Sequence, residues 1–108
     1  MEAVFVNLTP HAINEVVSGQ SFAPSGDVAR VATTMVDAGG IEGIPLFRAE
    51  YGEVEGLPTP KYDGTVYIVS GMVLAVVKDR TDCVAPGELV RDDSGKPIGC
   101  KGFKKGDK

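Results

Sequence analysis

The sequence predicts an α+β fold that is mainly β: a small mixed sheet or partly open barrel carrying about one short helix. Three observations predict it. The longest apolar run, residues 64–78 (GTVYIVSGMVLAVVK), opens with β-branched and aromatic residues and closes with helical spacing. The remaining apolar pieces are short and are cut apart by the 14 glycines and 7 prolines. No segment repeats and no linker separates two cores, so 108 residues read as one domain. The globular part is expected over residues 1–101, with 102–108 a basic, solvated and flexible tail.

Taken in order, residues 3–8 read as a strand with apolar side chains on both faces, interrupted only by Asn7. Thr9-Pro10 ends it, because Pro10 lacks a donor and biases Thr9 to an extended conformation. Residues 13–17 form a second short strand, Ser18-Gly19 a turn, and residues 21–23 a continuation of the ladder. Pro24-Ser25-Gly26-Asp27 is turn chemistry. Residues 28–35 read as a third strand, 37–43 (DAGGIEG) as a flexible glycine-rich loop, and 44–53 as a fourth strand with Leu46 and Phe47 on opposite sides. Leu57-Pro58-Thr59-Pro60 is a stiff connection. Beyond the central run, Cys83-Val84-Ala85 breaks at Pro86-Gly87. Residues 89–101 then read as a hairpin around Asp92-Asp93-Ser94-Gly95.

The central run organises the rest. In residues 65–70 both alternating sets, Thr65, Tyr67, Val69 and Val66, Ile68, Ser70, carry apolar side chains, as in a strand covered on both sides. Ser70 is placed to cap a helix whose stripe is Met72, Val73, Val76 and Val77, with Lys78 and Arg80 near its C-terminus. Three valines keep one long bent strand as the alternative.

Composition excludes several classes. At 43 % hydrophobic residues the chain can bury a real core. No window holds 18 apolar residues, so no membrane span is expected, and the start MEAVFVNL is not a signal peptide. Cytoplasmic residence follows as an expectation, with Cys83 and Cys100 as reduced thiols; a disulfide across a hairpin is the alternative. Residues 1–60 carry a net charge of −6 and residues 61–108 a net of +2, giving −4 in all. That is not a nucleic-acid footprint, so no nucleic-acid partner is expected.

Chemical motifs are sparse. His11 is the single histidine, and with Cys83 and Cys100 it lacks metal-ligand spacing, so neither a metal nor a cofactor is expected. Residues 68–72 read Ile-Val-Ser-Gly-Met and lack the first glycine of a nucleophile elbow. DAGGIEG lacks the Gly-Lys-Ser/Thr ending of a phosphate loop. Glu50, Glu53 and Glu55 cluster, but alternation marks Glu53 and Glu55 as the solvent side of a strand. No catalytic residue is assigned, and a small hydrolase using Glu53 or Ser70 is the lesser alternative. What remains is a set of polar residues near strand ends, Thr9, His11, Arg30, Arg48, Tyr51, Ser70, Arg80 and Asp82, whose arginines suit a phosphorylated ligand. Each also has a structural reading: a pinned loop for His11, a cap for Ser70, and an Arg80–Asp82 pair in a turn.

Six segments, VNLTPH (6–11), GDVARV (26–31), YGEVEGLP (51–58), GTVYIVS (64–70), RTD (80–82) and VRDDSGKPIGC (90–100), together resemble a family of small uncharacterised proteins of bacteriophages, prophages and some bacteria. The resemblance spans nearly the whole chain and brings no activity or functional residue with it. It implies a phage-type accessory protein in the host cytoplasm. The expected function is non-enzymatic: countering host defence by sequestering a nucleotide signal, in a homo-oligomer with pockets between subunits. The alternative is an inhibitor that binds a host immune protein, or a phage structural accessory module, through the acidic first half.

Overall fold

The computed structural model of the chain describes residues 3–61 and 63–106. Its elements are β1 (Val4–Asn7), β2 (Ile13–Glu15), β3 (Gln20–Phe22), β4 (Arg30–Ile41), β5 (Ile44–Glu55), β6 (Thr65–Ile68), α1 (Gly71–Val76), β7 (Cys83–Arg91) and β8 (Pro97–Lys105). Six strands form one sheet in the order β1-β6-β7-β8-β2-β3, and β4 and β5 form a separate two-stranded sheet. The large sheet is mixed: β1/β6, β6/β7 and β2/β8 pair parallel, β7/β8 and β2/β3 antiparallel. It curls until its two ends meet, giving a nearly closed, barrel-like body that is mainly β with one short helix.

The central run behaves as its composition dictates. β6 lies between β1 and β7, and its alternation feeds two cores. Tyr67 and Val69 join Leu8, Val73, Leu74, Cys83 and Ala85 on one side, while Ile68 joins Ile13 and Cys100 on the other. The second core also holds Phe5, Phe22 and Phe103, whose ring centroids are 5.0–5.9 Å apart in tilted pairs. These rings come from β1, β3 and β8, so the cluster exists only because the sheet curls. One polar atom pays no part in this packing: the Tyr67 hydroxyl is buried without a hydrogen-bond partner among the described residues.

Ser70 ends β6 in an extended conformation and accepts the Val73 N–H at 3.2 Å, so it caps α1. The buried stripe is Val73 and Leu74 with Val77 partly covered; Met72 and Val76 point outward at 52 % and 41 % exposure. The helix is too short to present two turns of valines to the core. Its last turn holds no basic residue, and Lys78 and Arg80 fall beyond it.

The closure of the barrel depends on Asn7, the polar residue that interrupts the first strand. It is 2 % exposed. Its amide nitrogen donates to the carbonyls of His11 (2.9 Å) and Phe22 (3.0 Å), and its Oδ1 accepts from the Thr9 N–H and hydroxyl. Its own carbonyl accepts from the Ser25 N–H at 3.0 Å, beside the Asn7–Pro24 bridge. One side chain therefore joins β1 to β3 and shapes the loop between them. Glu15 does the same for β2 and β8, which share the single register pair Glu15–Cys100. Its carboxylate accepts the N–H groups of Val17 (2.8 Å), Ser18 (2.6 Å) and Gly102 (2.7 Å). Gly99 permits this approach, since a Cβ there would stand 2.8 Å from the Asn14 carbonyl oxygen.

Three expectations are corrected. β4 runs on to Ile41, so residues 37–41 are strand and the connection is only Glu42-Gly43. Both turn residues have positive φ (51° and 78°), the backbone of a two-residue hairpin turn, and the nearby glycines serve a register shift between Asp37 and Gly40. A strand irregularity and a tight turn thus share the composition of a loop. β7 passes through Pro86-Gly87 without a break, because β8 lies so close that a Cβ on Gly87 would meet the Gly102 carbonyl oxygen at 2.8 Å. β8 continues to Lys105, in register with Val84, so residues 102–105 are strand rather than tail; positions 107 and 108 lie outside the described residues. The basic stretch is nevertheless paired with β7, and within it Phe103 packs on the second core while Lys101, Lys104 and Lys105 stay exposed. Cys83 and Cys100 are both free and buried, in different cores.

The β4–β5 hairpin leaves the body. The radius of gyration is 16.5 Å, against about 13 Å for a compact chain of this length. Only the base of the hairpin is anchored, where Val31 and Val54 pack on the first core.

Candidate functional site

The loop after β1, the cap of α1 and the facing strands β7 and β8 surround a surface cleft of about 750 Å³. Thr9, Pro10 and His11 form one rim, held by the Asn7 hydrogen bonds, and the Thr9 hydroxyl also donates to the His11 carbonyl at 3.0 Å. Ser70 and Gly71 form a second rim. The opposite wall is mostly apolar, with Pro86, Leu89, Pro97 and Ile98, and Leu89 and Ile98 are about half exposed. Lys104 stands at the junction with a smaller adjoining cleft of about 370 Å³, which shares Gly71 and Lys104 and adds Lys105. The Lys104 Nζ lies beside Gly71, 3.5 Å from where a Cβ would stand there.

Thr9, His11 and Ser70 therefore come together, from chain positions up to 61 apart. The other residues singled out from the sequence do not join them. Arg80 forms a bidentate pair with Asp82, Nε to Oδ1 and Nη2 to Oδ2, both 2.8 Å, and donates to the Pro58 carbonyl at 3.0 Å. The pair raises the Arg80 pKa and lowers that of Asp82, in each case chiefly through their mutual hydrogen bonds. It clamps the proline-rich connection onto the turn before β7. Arg30, Arg48 and Tyr51 lie on the hairpin: Arg30 opposite Glu55, Arg48 3.5 Å from Glu50, and Tyr51 opposite Thr33.

Catalytic arrangements are not assembled by these groups. The Ser70 hydroxyl is engaged by the Val73 N–H. Burial, with Asp82 adding to it, pushes the Cys83 thiol up to about 11, and Cys83 does not line the cleft beside His11. Cys100 does line it, but burial raises its pKa too. Among the described residues no three His, Cys, Asp or Glu side chains are grouped to hold a metal ion. No helix among them is long and apolar enough to cross a membrane.

Lys104 and the apolar wall are not among the candidates the sequence offers, because it reads as tail over 102–108, as hairpin over 89–101 and as a break at Pro86. The signal was weak: one phenylalanine, Phe103, among Lys101, Lys104 and Lys105 allows a strand but does not say which lysine faces a cleft. Fold and site together define a mixed, barrel-like β protein with an open, mostly apolar cleft edged by lysine. Comparison of the chain with protein-family models, curated proteins and solved structures finds no match.

Proposed function

We propose that the chain is a non-enzymatic accessory protein of phage type that binds a small phosphorylated ligand, a nucleotide signal, in the cleft and so counters host defence in the host cytoplasm. The cleft carries this reading. Its volume of about 750 Å³ falls in the range of small-ligand sites. The proline, leucine and isoleucine wall offers a flat apolar surface for a base, and Lys104 with Lys105 offers charge for a phosphate end. His11 and the hydroxyl-bearing rim supply polar contacts between them. Sequestration rather than turnover is supported by the engaged Ser70 hydroxyl and the raised thiol pKa values. The phage setting rests on the sequence resemblance.

The test is native mass spectrometry of the protein mixed with a pool of cyclic and ADP-ribose-type nucleotides. One nucleotide mass should be retained, and Lys104→Ala should weaken binding by roughly tenfold or more, as expected for loss of a charged hydrogen bond. A spectrum in which every nucleotide stays unbound and unaltered would sink the proposal. Altered nucleotides would move the protein to the enzymatic class.

A further inference from the structure

The two faces of the β4–β5 hairpin differ in chemistry. Cross-strand partners share a face, so the register sorts the side chains. One face carries Thr34–Glu50 and Val36–Arg48, and its Arg48 is satisfied by Glu50 on the same strand. The other face begins at Val31–Val54, which is anchored on the core, and continues as Thr33–Tyr51, Met35–Ala49 and Asp37–Phe47. Asp37 is the one charge in those three outer pairs. Met35, Phe47 and Tyr51 are 64 %, 59 % and 55 % exposed, in one stripe continuous with the buried core.

A stripe of this kind is rarely left in water, and an isolated two-stranded hairpin is marginal by itself. We propose that the hairpin is an association arm whose Met35–Phe47–Tyr51 face packs against the same face of a second copy of this chain. The near absence of charge argues for that occupant. A basic host surface would seek acidic groups and a nucleic acid basic ones, and charges of both signs, Glu50 and Arg48, lie on the opposite face, whereas an apolar stripe about a two-fold axis is complementary to itself. Area agrees. Each aromatic exposes on the order of 100 Å², and with Met35, Ala49 and flanking backbone one arm offers on the order of 500 Å². Two arms then bury on the order of 1,000 Å², the lower bound for a specific interface. The arrangement also extends each first core outward from Val31 and Val54. It does not depend on what the cleft binds.

Sedimentation velocity of the full chain from roughly 1 to 100 μM tests it, a range that brackets a micromolar dimer. The wild type should move from the 11.3 kDa monomer to twice that mass. Phe47→Glu and, independently, Met35→Lys should each raise the dissociation constant by tenfold or more. Glu50→Lys on the opposite face should leave it unchanged. Circular dichroism melts establish that the variants fold, as expected for exposed positions. A wild type that stays monomeric across the range overturns the proposal and leaves the stripe to a foreign protein. A dimer indifferent to both Phe47→Glu and Met35→Lys overturns it equally, by placing the interface elsewhere.

Discussion

The body and the hairpin are built from the same kind of strand residue and end in opposite environments. In the body, β6 is 4 residues long and its Tyr67 and Ile68 are 1 % and 0 % exposed. In the hairpin, β4 and β5 are 12 residues each and most of their side chains face solvent. Strand propensity does not distinguish them, because it measures fit to a pleated, half-buried surface rather than burial itself. The difference lies in cover. The body closes on itself through three phenylalanines and two polar anchors, whereas the hairpin has a core only at its base. Hydrogen exchange should therefore be slow along β6 and fast along the outer half of β4 and β5 in a monomeric variant.

Removing an anchor is the most direct way to break the contrast. Asn7→Ala removes the side-chain partner of the Phe22 carbonyl and the Thr9 N–H and leaves the His11 carbonyl only the Thr9 hydroxyl, while the backbone bridge beside Pro24 remains. A loss of roughly 2–4 kcal/mol is expected in urea unfolding, as for several polar groups orphaned in a buried site. A loss under about 0.5 kcal/mol, the usual size for a surface change, would mean that the aromatic cluster closes the barrel unaided.

Arg80→Ala comes next. The sequence left Arg80 either a ligand contact or the partner of Asp82 in a turn; in the structure it pairs with Asp82 and holds the Pro58 carbonyl. Partial exposure discounts the pair, so about 1–2 kcal/mol of destabilisation is expected, with nucleotide affinity unchanged. Lost affinity with unchanged stability would return Arg80 to the site.

The smallest effect is a slope. The Ser18 hydroxyl, followed by the N–H groups of Gly102, Ser18 and Val17, lowers the Glu15 pKa from 4.5 to about 2. A depressed carboxylate stabilises the fold fully above its unfolded pKa and loses that contribution as pH falls through the folded value. Stability should therefore decline between about pH 4.5 and 2. Glu15→Gln should flatten that decline, and an unaltered pH profile would remove Glu15 as the link between β2 and β8.

Local chemistry determined much of this molecule in the sequence itself. The two-faced apolar pattern of residues 65–69 required a covered central strand, Ser70 required little more than its position to cap α1, and Asp92-Asp93-Ser94-Gly95 required a turn. These features depend on residues within a few positions of one another. Tertiary structure decided the rest. Whether Pro86-Gly87 breaks a strand depends on how closely β8 approaches, and whether DAGGIEG is loop or strand depends on the partner strand across from it. Asn7 looked like an interruption in an apolar run and is the residue that joins β1 to β3. The cleft followed the same rule. Thr9, His11 and Ser70 were visible as polar residues near strand ends, but Lys104 entered only when β8 was laid beside β7 and α1. Pairing between distant strands carries no local signature, since the same alternation serves any partner, and that is why the site emerged only with the fold.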